Sequence, residues 1–314
     1  MKIEPLENRA GFRVLAPAKV NLFFEILGKR PDGYREIETV VAPISLFDEL
    51  EFERTETPGI AIESLDEIAG DDSDVPTDQT NLVAKAFRAF WEEKGTDPDF
   101  PPFGVKCRLT KRIPTRAGLG GGSSDAAACL LALDRLAPER TPKATLQKIA
   151  GRVGSDVALF LEPSASRGRG RGEIVEPLVA PSLSLVLLKP SEGLSTAAVY
   201  ARSEETRRAP DRRASDFVRE LALASETPGR APEIVARALF NRLEESARAI
   251  WDGFDSTKEL LRETEPLAIL MSGSGTTFFG LYSDEPSARA AADRLRAGPE
   301  VASRGVFVSA VQTL

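Results

Sequence analysis

A chain of 314 residues with 42% hydrophobic and 28% charged side chains has the make-up of a globular protein with a substantial core, more readily two domains than one. Its formal net charge of -7 argues against a general polyanion binder, and so against nucleic acid, while permitting a local positive pocket. Histidine is absent, which excludes imidazole bases and His-ligated metals and leaves proton transfer to Asp, Glu, Lys or Tyr. Cys107 and Cys129 stand alone, without a CxxC pair or a disulfide framework, as two ordinary buried thiols in a reducing compartment would. The start does not resemble a signal peptide and no run approaches the ~18 apolar residues of a membrane helix, so the expectation is a cytoplasmic protein without membrane contact.

Strand-like alternation begins at once, over Phe12–Leu15, Val20–Leu27, Ile37–Ala42 and Leu50–Phe52, with a turn at Arg30-Pro-Asp-Gly33. Within the first crossing, Lys19 on its own reads as a solvated turn residue. Residues 65–80 are acidic and turn-rich and read as an exposed loop, because their carboxylates lack metal-ligand spacing. A helix is predicted over about 81–93, with Leu82, Ala86, Phe87 and Phe90 on one face and Asn81 as a candidate cap. Val105–Leu109 alternates like a strand with one buried face.

Pro114-Thr-Arg-Ala-Gly-Leu-Gly-Gly-Gly-Ser-Ser-Asp-Ala-Ala-Ala128 then passes from bare backbone to strong helix former. Gly118, Gly120, Gly121 and Gly122 admit backbone angles that other residues resist and let a ligand approach the amides. Ser123 and Ser124 can cap a helix running to Leu136, whose N-terminus would bind phosphate. A flexible turn into a buried helix is the plainer alternative. The lysine of GxxxxGK[ST] is missing, and Ser123 stands where the dinucleotide fingerprint wants glycine, so neither of those loops applies.

A helix over about 142–153 leads to Gly154-Ser-Asp-Val157, where Asp156 alone reads as an N-cap or strand-end residue. Arg167-Gly-Arg-Gly-Arg-Gly172 reads as a turn between strands rather than a nucleic-acid contact, and Leu183–Leu188 as a buried strand. Leu194–Tyr200 suggests a helix start, and the Arg- and Glu-rich stretch 202–232 an exposed helix or loop. Leu267–Leu281 reads as strand, tight glycine turn and strand, followed by a helix near 285–297 and a strand over 306–311.

Three motifs carry a resemblance. Pro114-x-x-x-Gly-Leu-Gly with its Ser-Ser and alanine run resembles the second motif of the GHMP kinases, a family that includes galactokinase, homoserine kinase and mevalonate kinase. Pro17-Ala-Lys-Val-Asn-Leu22 with Gly28-Lys-Arg-Pro-Asp-Gly-Tyr34 is similar to the first motif of the branch that phosphorylates 4-diphosphocytidyl-2-C-methyl-D-erythritol, and Met271-Ser-Gly-Ser-Gly275 to the third GHMP motif, which packs on the phosphate loop. The resemblance implies an α+β fold of two domains. Residues 1–172 would resemble a domain of a small-subunit ribosomal protein, and residues 173–314 would be ferredoxin-like, with the site between them.

It further implies ATP and Mg²⁺ as cofactors, a small-molecule alcohol as the partner, and either a monomer or a homodimer. Lys19 and Asp156 would be catalytic, Asp156 as the base and Lys19 favouring its charged form. Pro114, Gly118, Leu119, Gly120, Gly121, Gly122, Ser123 and Ser124 would hold ATP, with Asn81 near the adenine. Asn21, Tyr34, Arg35, Thr196 and Tyr200 would bind the substrate, the two tyrosines sandwiching cytosine, while the magnesium ligands stay unassigned. Arg35 stands where the family usually has histidine, Arg116 replaces a usual glycine and is expected to keep an ordinary backbone angle, and Arg242 replaces an aspartate. Another GHMP small-molecule kinase and a non-catalytic nucleotide sensor are the alternatives.

Overall fold

The computed structural model describes residues 1–7, 9–67, 75–95, 102–205, 212–303 and 305–314. β1 (Lys2–Pro5), β2 (Gly11–Lys29), β3 (Arg35–Thr55), β4 (Gly59–Asp66) and β5 (Gly104–Lys111) form the spine of a sheet in the order β1-β2-β3-β5-β4. β2 and β3 are far longer than the runs read from the sequence, because register shifts at Pro17/Ala18, Asn21/Phe23 and Ile26/Gly28 bend one continuous hairpin where the alternation slips. β6 (Ser166–Gly170) pairs with β3 and then with β7 (Ile174–Pro177), which makes the Arg-Gly run an edge hairpin.

The chain then begins a second sheet with β8 (Ser184–Lys189), returns to the first as β9 (Phe240–Asn241), parallel to β2, and completes the second with β10 (Ala268–Met271), β11 (Phe278–Tyr282) and β12 (Phe307–Gln312). The order of this second sheet is β10-β11-β8-β12. The helices of the first half are α1 (Leu82–Lys94), α2 (Gly121–Leu136) and α3 (Lys143–Val153). Those of the second are α4 (Thr196–Glu205), α5 (Ala214–Glu226), α6 (Ala231–Ala238), α7 (Leu243–Ile250), α8 (Phe254–Arg262), α9 (Glu285–Ala297) and α10 (Pro299–Ser303). Among the described residues no helix is long and apolar enough to cross a membrane.

Three cores hold this together. α1, α2 and α3 bury Phe90, Leu130, Leu133 and Ile149 with Val14, Leu50, Phe52 and Leu109 of the first sheet. α2 lies deep because Ala126, Ala127 and Ala128 present almost no bulk, which lets its backbone approach α1 and β2. A middle core joins the two sheets, setting Val20 and Phe23 with Leu185, Leu187, Phe217 and Leu281. The third gathers Phe24, Leu188, Trp251, Phe254 and Phe278 with the alanine face of α9. Cys107 and Cys129 are buried free thiols, and burial pushes both thiol pKa values up.

Several expectations change. α2 starts at Gly121 with Gly120 as its N-cap at φ 72, so Ser123 and Ser124 lie inside the first turn and do not cap it. A left-handed glycine turns the chain into the helix, and this N-cap brings no side chain to the free amides. The loop expected over 65–80 opens with the end of strand β4, while residues 68–74 lie outside the described residues. The stretch 202–232 is not simply exposed: Ala214, Phe217, Leu221 and Ala224 form a buried stripe on α5, with residues 206–211 outside the described residues.

Candidate active site

The site forms where the second half meets the bulged part of β2. Lys19 is buried there, with its backbone N–H donating to Leu119 O at 2.9 Å and its Nζ to Asn21 Oδ1 at 2.5 Å and Gly118 O at 2.7 Å. Asp156 Oδ2 lies 3.8 Å from Nζ. Burial lowers the Lys19 ammonium pKa, and the Asp156 carboxylate acts in the opposite sense. Asp156 sits in the turn before a short 3-10 segment, Ala158–Leu161, and its side chain is 39% exposed, so the carboxylate is accessible while its cation is not.

The glycine loop is shaped by its neighbours. Gly118 has φ 74, and a β-carbon there would lie 2.1 Å from Ser272 O; at Gly120, φ 72, one would press on Phe160 and on Lys19 Cε. Ser272 Oγ donates to Gly118 O at 2.9 Å and Thr277 N to Ala117 O at 3.2 Å, so Met271–Gly275 packs against the loop as the resemblance implies. Asn241 fixes this turn by donating to Met271 O and Gly273 O at 2.7 and 2.8 Å, and Glu244 accepts from Met271 N at 2.9 Å. Arg116 departs from expectation. Its φ of 48 is left-handed, an arrangement that costs a residue with a β-carbon about 1 kcal/mol or more relative to glycine.

A cavity of about 580 Å³ brings together Lys19, Asn21, Tyr34, Arg35, Gly118, Gly120, Asp156, Thr196 and Tyr200. Thr196 Oγ1 and Ser274 Oγ are 2.9 Å apart, tying the start of α4 to the glycine turn. Tyr200 is largely covered and meets Phe24 edge-on at 6.4 Å; burial, with the nearby Asp156 charge, pushes its phenol pKa up. Tyr34 is 53% exposed, with the Arg171 guanidinium 4.6 Å from its ring centre. Arg35 pairs through Nη2 with Glu204 of α4, while its Nη1 is buried without a hydrogen-bond partner among the described residues.

The remaining expected residues lie outside the cavity lining. Pro114 and Leu119 are buried, Gly121 begins α2, Gly122 is exposed, Ser123 is half-buried, and Ser124 is buried with no partner for its hydroxyl among the described residues. Asn81 caps α1: Oδ1 accepts from Val83 N at 2.8 Å and Nδ2 donates to Pro76 O at 2.5 Å. Arg242 pairs bidentately with the buried Glu25 at 2.8 and 2.7 Å, so its departure is answered by a carboxylate on β2. The sequence reading missed Thr39, Arg171, Asn241 and Ser272 as site residues. Among the described residues no three metal-ligating side chains cluster, and Asp156 is the one carboxylate lining the cavity. That donor set fits a magnesium ion carried in by phosphates, which needs few protein ligands.

A glycine loop at a helix start, clasped by a second glycine turn and facing a lysine–carboxylate pair, defines a phosphate-handling enzyme. The N-terminal domain of GHMP kinases matches residues 81–162 and their C-terminal domain residues 221–300. The chain belongs to the GHMP kinase family and is a small-molecule kinase with that family's α+β fold. Its similarity is to one kind in particular. It is 40% identical over 283 residues to the 4-diphosphocytidyl-2-C-methyl-D-erythritol kinase of Pelotomaculum thermopropionicum, covering 90% of this chain and 93% of the relative. It is 37% identical over 288 residues to that of Chloroherpeton thalassium, covering 90% and 93%. A crystal structure of 4-(cytidine 5'-diphospho)-2C-methyl-D-erythritol kinase superposes with TM-score 0.73 at 33% identity, covering 95% of this chain and 98% of that one. The mevalonate kinase of L. major shares the fold, with TM-score 0.71 at 17% identity, covering 99% and 98%.

Proposed function

We propose that the chain transfers the γ-phosphoryl group of ATP to the 2-hydroxyl of 4-diphosphocytidyl-2-C-methyl-D-erythritol, the substrate in the names of its relatives. The observation that carries the reading is the 3.8 Å approach of Lys19 Nζ to Asp156 Oδ2, in the cavity that also holds Gly118, Gly120, Tyr34 and Tyr200. The accessible Asp156 carboxylate takes the proton of the alcohol as its oxygen bonds to phosphorus, and the bond from phosphorus to the β,γ-bridging oxygen breaks, releasing ADP. Lys19, fixed by Asn21 Oδ1 and Gly118 O, stabilises charge on the phosphoryl oxygens. The first turn of α2 presents its free amides and positive dipole end to the nucleotide phosphates. Magnesium bound with ATP would supply further charge neutralisation.

Tyr34 and Tyr200 are aromatic walls suited to a flat base, and Arg35, held by Glu204, lines the same cavity. Asn81 is an exception, because both ends of its amide are engaged in holding the start of α1. Steady-state assays of ADP release with the diphosphocytidyl alcohol, homoserine and mevalonate test the reading. Turnover with the first alone is expected; turnover with either of the others in its place overturns it.

A further inference from the structure

Among the described residues four cationic side chains line the cavity, and three are already engaged. Lys19 is held by Asn21, Gly118 and Asp156, and Arg35 pairs with Glu204. Arg171 donates to Gly151 O at 3.2 Å and lies over the Tyr34 ring. Arg116 makes no side-chain hydrogen bond or ion pair among the described residues.

Its backbone makes that freedom informative. Arg116 holds φ 48 two residues before Gly118, where glycine would sit without strain. The stem lies beside Gly193, whose ideal β-carbon would be 3.5 Å from Arg116 Cβ and 3.8 Å from Cδ. The segment carrying Gly193 is anchored by Thr276 Oγ1 donating to Glu192 O at 2.8 Å. The guanidinium is therefore mounted between the phosphate loop and the segment leading to Thr196, with its donors uncommitted. A planar cation placed this way matches phosphate oxygens, to which it can donate in pairs.

We propose that Arg116 is a further phosphate-contacting residue, gripping the polyphosphate oxygens of a ligand in this cavity and adding fixed positive charge as the phosphoryl group moves. The inference rests on the phosphoryl-transfer reading, and the oxygens can belong either to the ATP triphosphate or to the diphosphate of the acceptor. The test compares Arg116→Gly and Arg116→Lys with the wild type in thermal unfolding, steady-state kinetics and calorimetric binding of ADP and of CDP. Arg116→Gly is expected to unfold at or above the wild-type Tm, because the strain is gone, while kcat/KM falls on the order of 10- to 100-fold, with Arg116→Lys recovering part of the loss. A raised KM for ATP with weaker ADP binding assigns the contact to the nucleotide; a raised KM for the acceptor with weaker CDP binding assigns it to the substrate. Wild-type kinetics together with unchanged ADP and CDP affinities in Arg116→Gly would overturn the proposal. If the wild-type enzyme does not phosphorylate the acceptor but Arg116→Gly still binds either diphosphate more weakly, the contact stands and the substrate reading fails.

Discussion

In the proposed mechanism Lys19 and Asp156 divide the work by burial: the lysine is enclosed and triply held, and the carboxylate is open to a ligand. Replacing Asp156 with Asn keeps shape and removes the base, so kcat is expected to fall roughly 10²- to 10⁴-fold with little change in Tm, as single-turnover kinetics and thermal unfolding can show. An activity within a few-fold of wild type would mean that positioning alone accounts for the rate. Arg35 belongs to the same scale. Arg35→Ala removes a cation from the cavity lining and leaves Glu204 with Lys29 alone, 3.7 Å away, so the KM for the proposed cytidine substrate should rise about 10-fold or more while the KM for ATP stays put. Motif matching singled out Lys19, Asp156 and Arg35, which line one cavity, because each sits in a short distinctive string. The third motif placed Ser272 against the loop but not its hydroxyl bond to Gly118 O, 154 positions away, and no local pattern assigned a role to Asn241, whose bonds reach Met271 and Gly273.

The loop and helix α2 form the element on which the chemistry stands. Gly118→Ala would place a β-carbon 2.1 Å from Ser272 O on a backbone at φ 74, so the two glycine turns must separate. The expected result is a loss of about 2 kcal/mol or more in denaturant unfolding together with weakened ADP binding. Beneath the loop, Lys111 is buried between Asp48 and Asp125. Asp48 also accepts from Arg112 N and Ile113 N at 2.6 and 2.9 Å, whereas Asp125 Oδ1 has no partner among the described residues. Burial is the leading cause pushing the Asp125 carboxyl from 3.8 up to about 8, with Lys111 opposing it. The folded chain thus keeps a proton that the unfolded chain releases near 3.8, and stability falls as pH rises from there towards about 8. Asp125→Asn removes that dependence, so its stability relative to wild type should improve between pH 5 and pH 8 in urea titrations; a constant difference would contradict the assignment. Glycine spacing made this element visible in the sequence, yet the serines were given a capping role that belongs to Gly120, because the choice turns on a backbone angle that composition does not carry. β4 went unread for a related reason. It is an edge strand with alternating half-buried and exposed residues, so its apolar signal is weak.

At the scale of the molecule, the two sheets are sewn together. β9 brings the second half back to β2, Ile44 bridges Thr313, and Leu314 N donates to Pro43 O at 2.9 Å. Phe23 lies in the shared core with its ring 5.8 Å from Phe217 and 5.6 Å from Phe240. Phe23→Ala should cost about 3–5 kcal/mol and lower a single calorimetric transition, because both sheets lose packing together; two separated transitions would show that they unfold independently. The three motifs announced the architecture through a resemblance, but the return of β9 is invisible in a two-residue strand. The account as a whole stands on phosphoryl transfer through the Lys19–Asp156 pair. The most direct measurement is phosphorus NMR of the purified chain with Mg-ATP and 4-diphosphocytidyl-2-C-methyl-D-erythritol, run beside Lys19→Ala and Asp156→Asn. The account predicts ADP and a new phosphomonoester on the acceptor with the wild type and next to none with either variant. A wild type that leaves the acceptor unchanged, or variants that make the product at the wild-type rate, would contradict it.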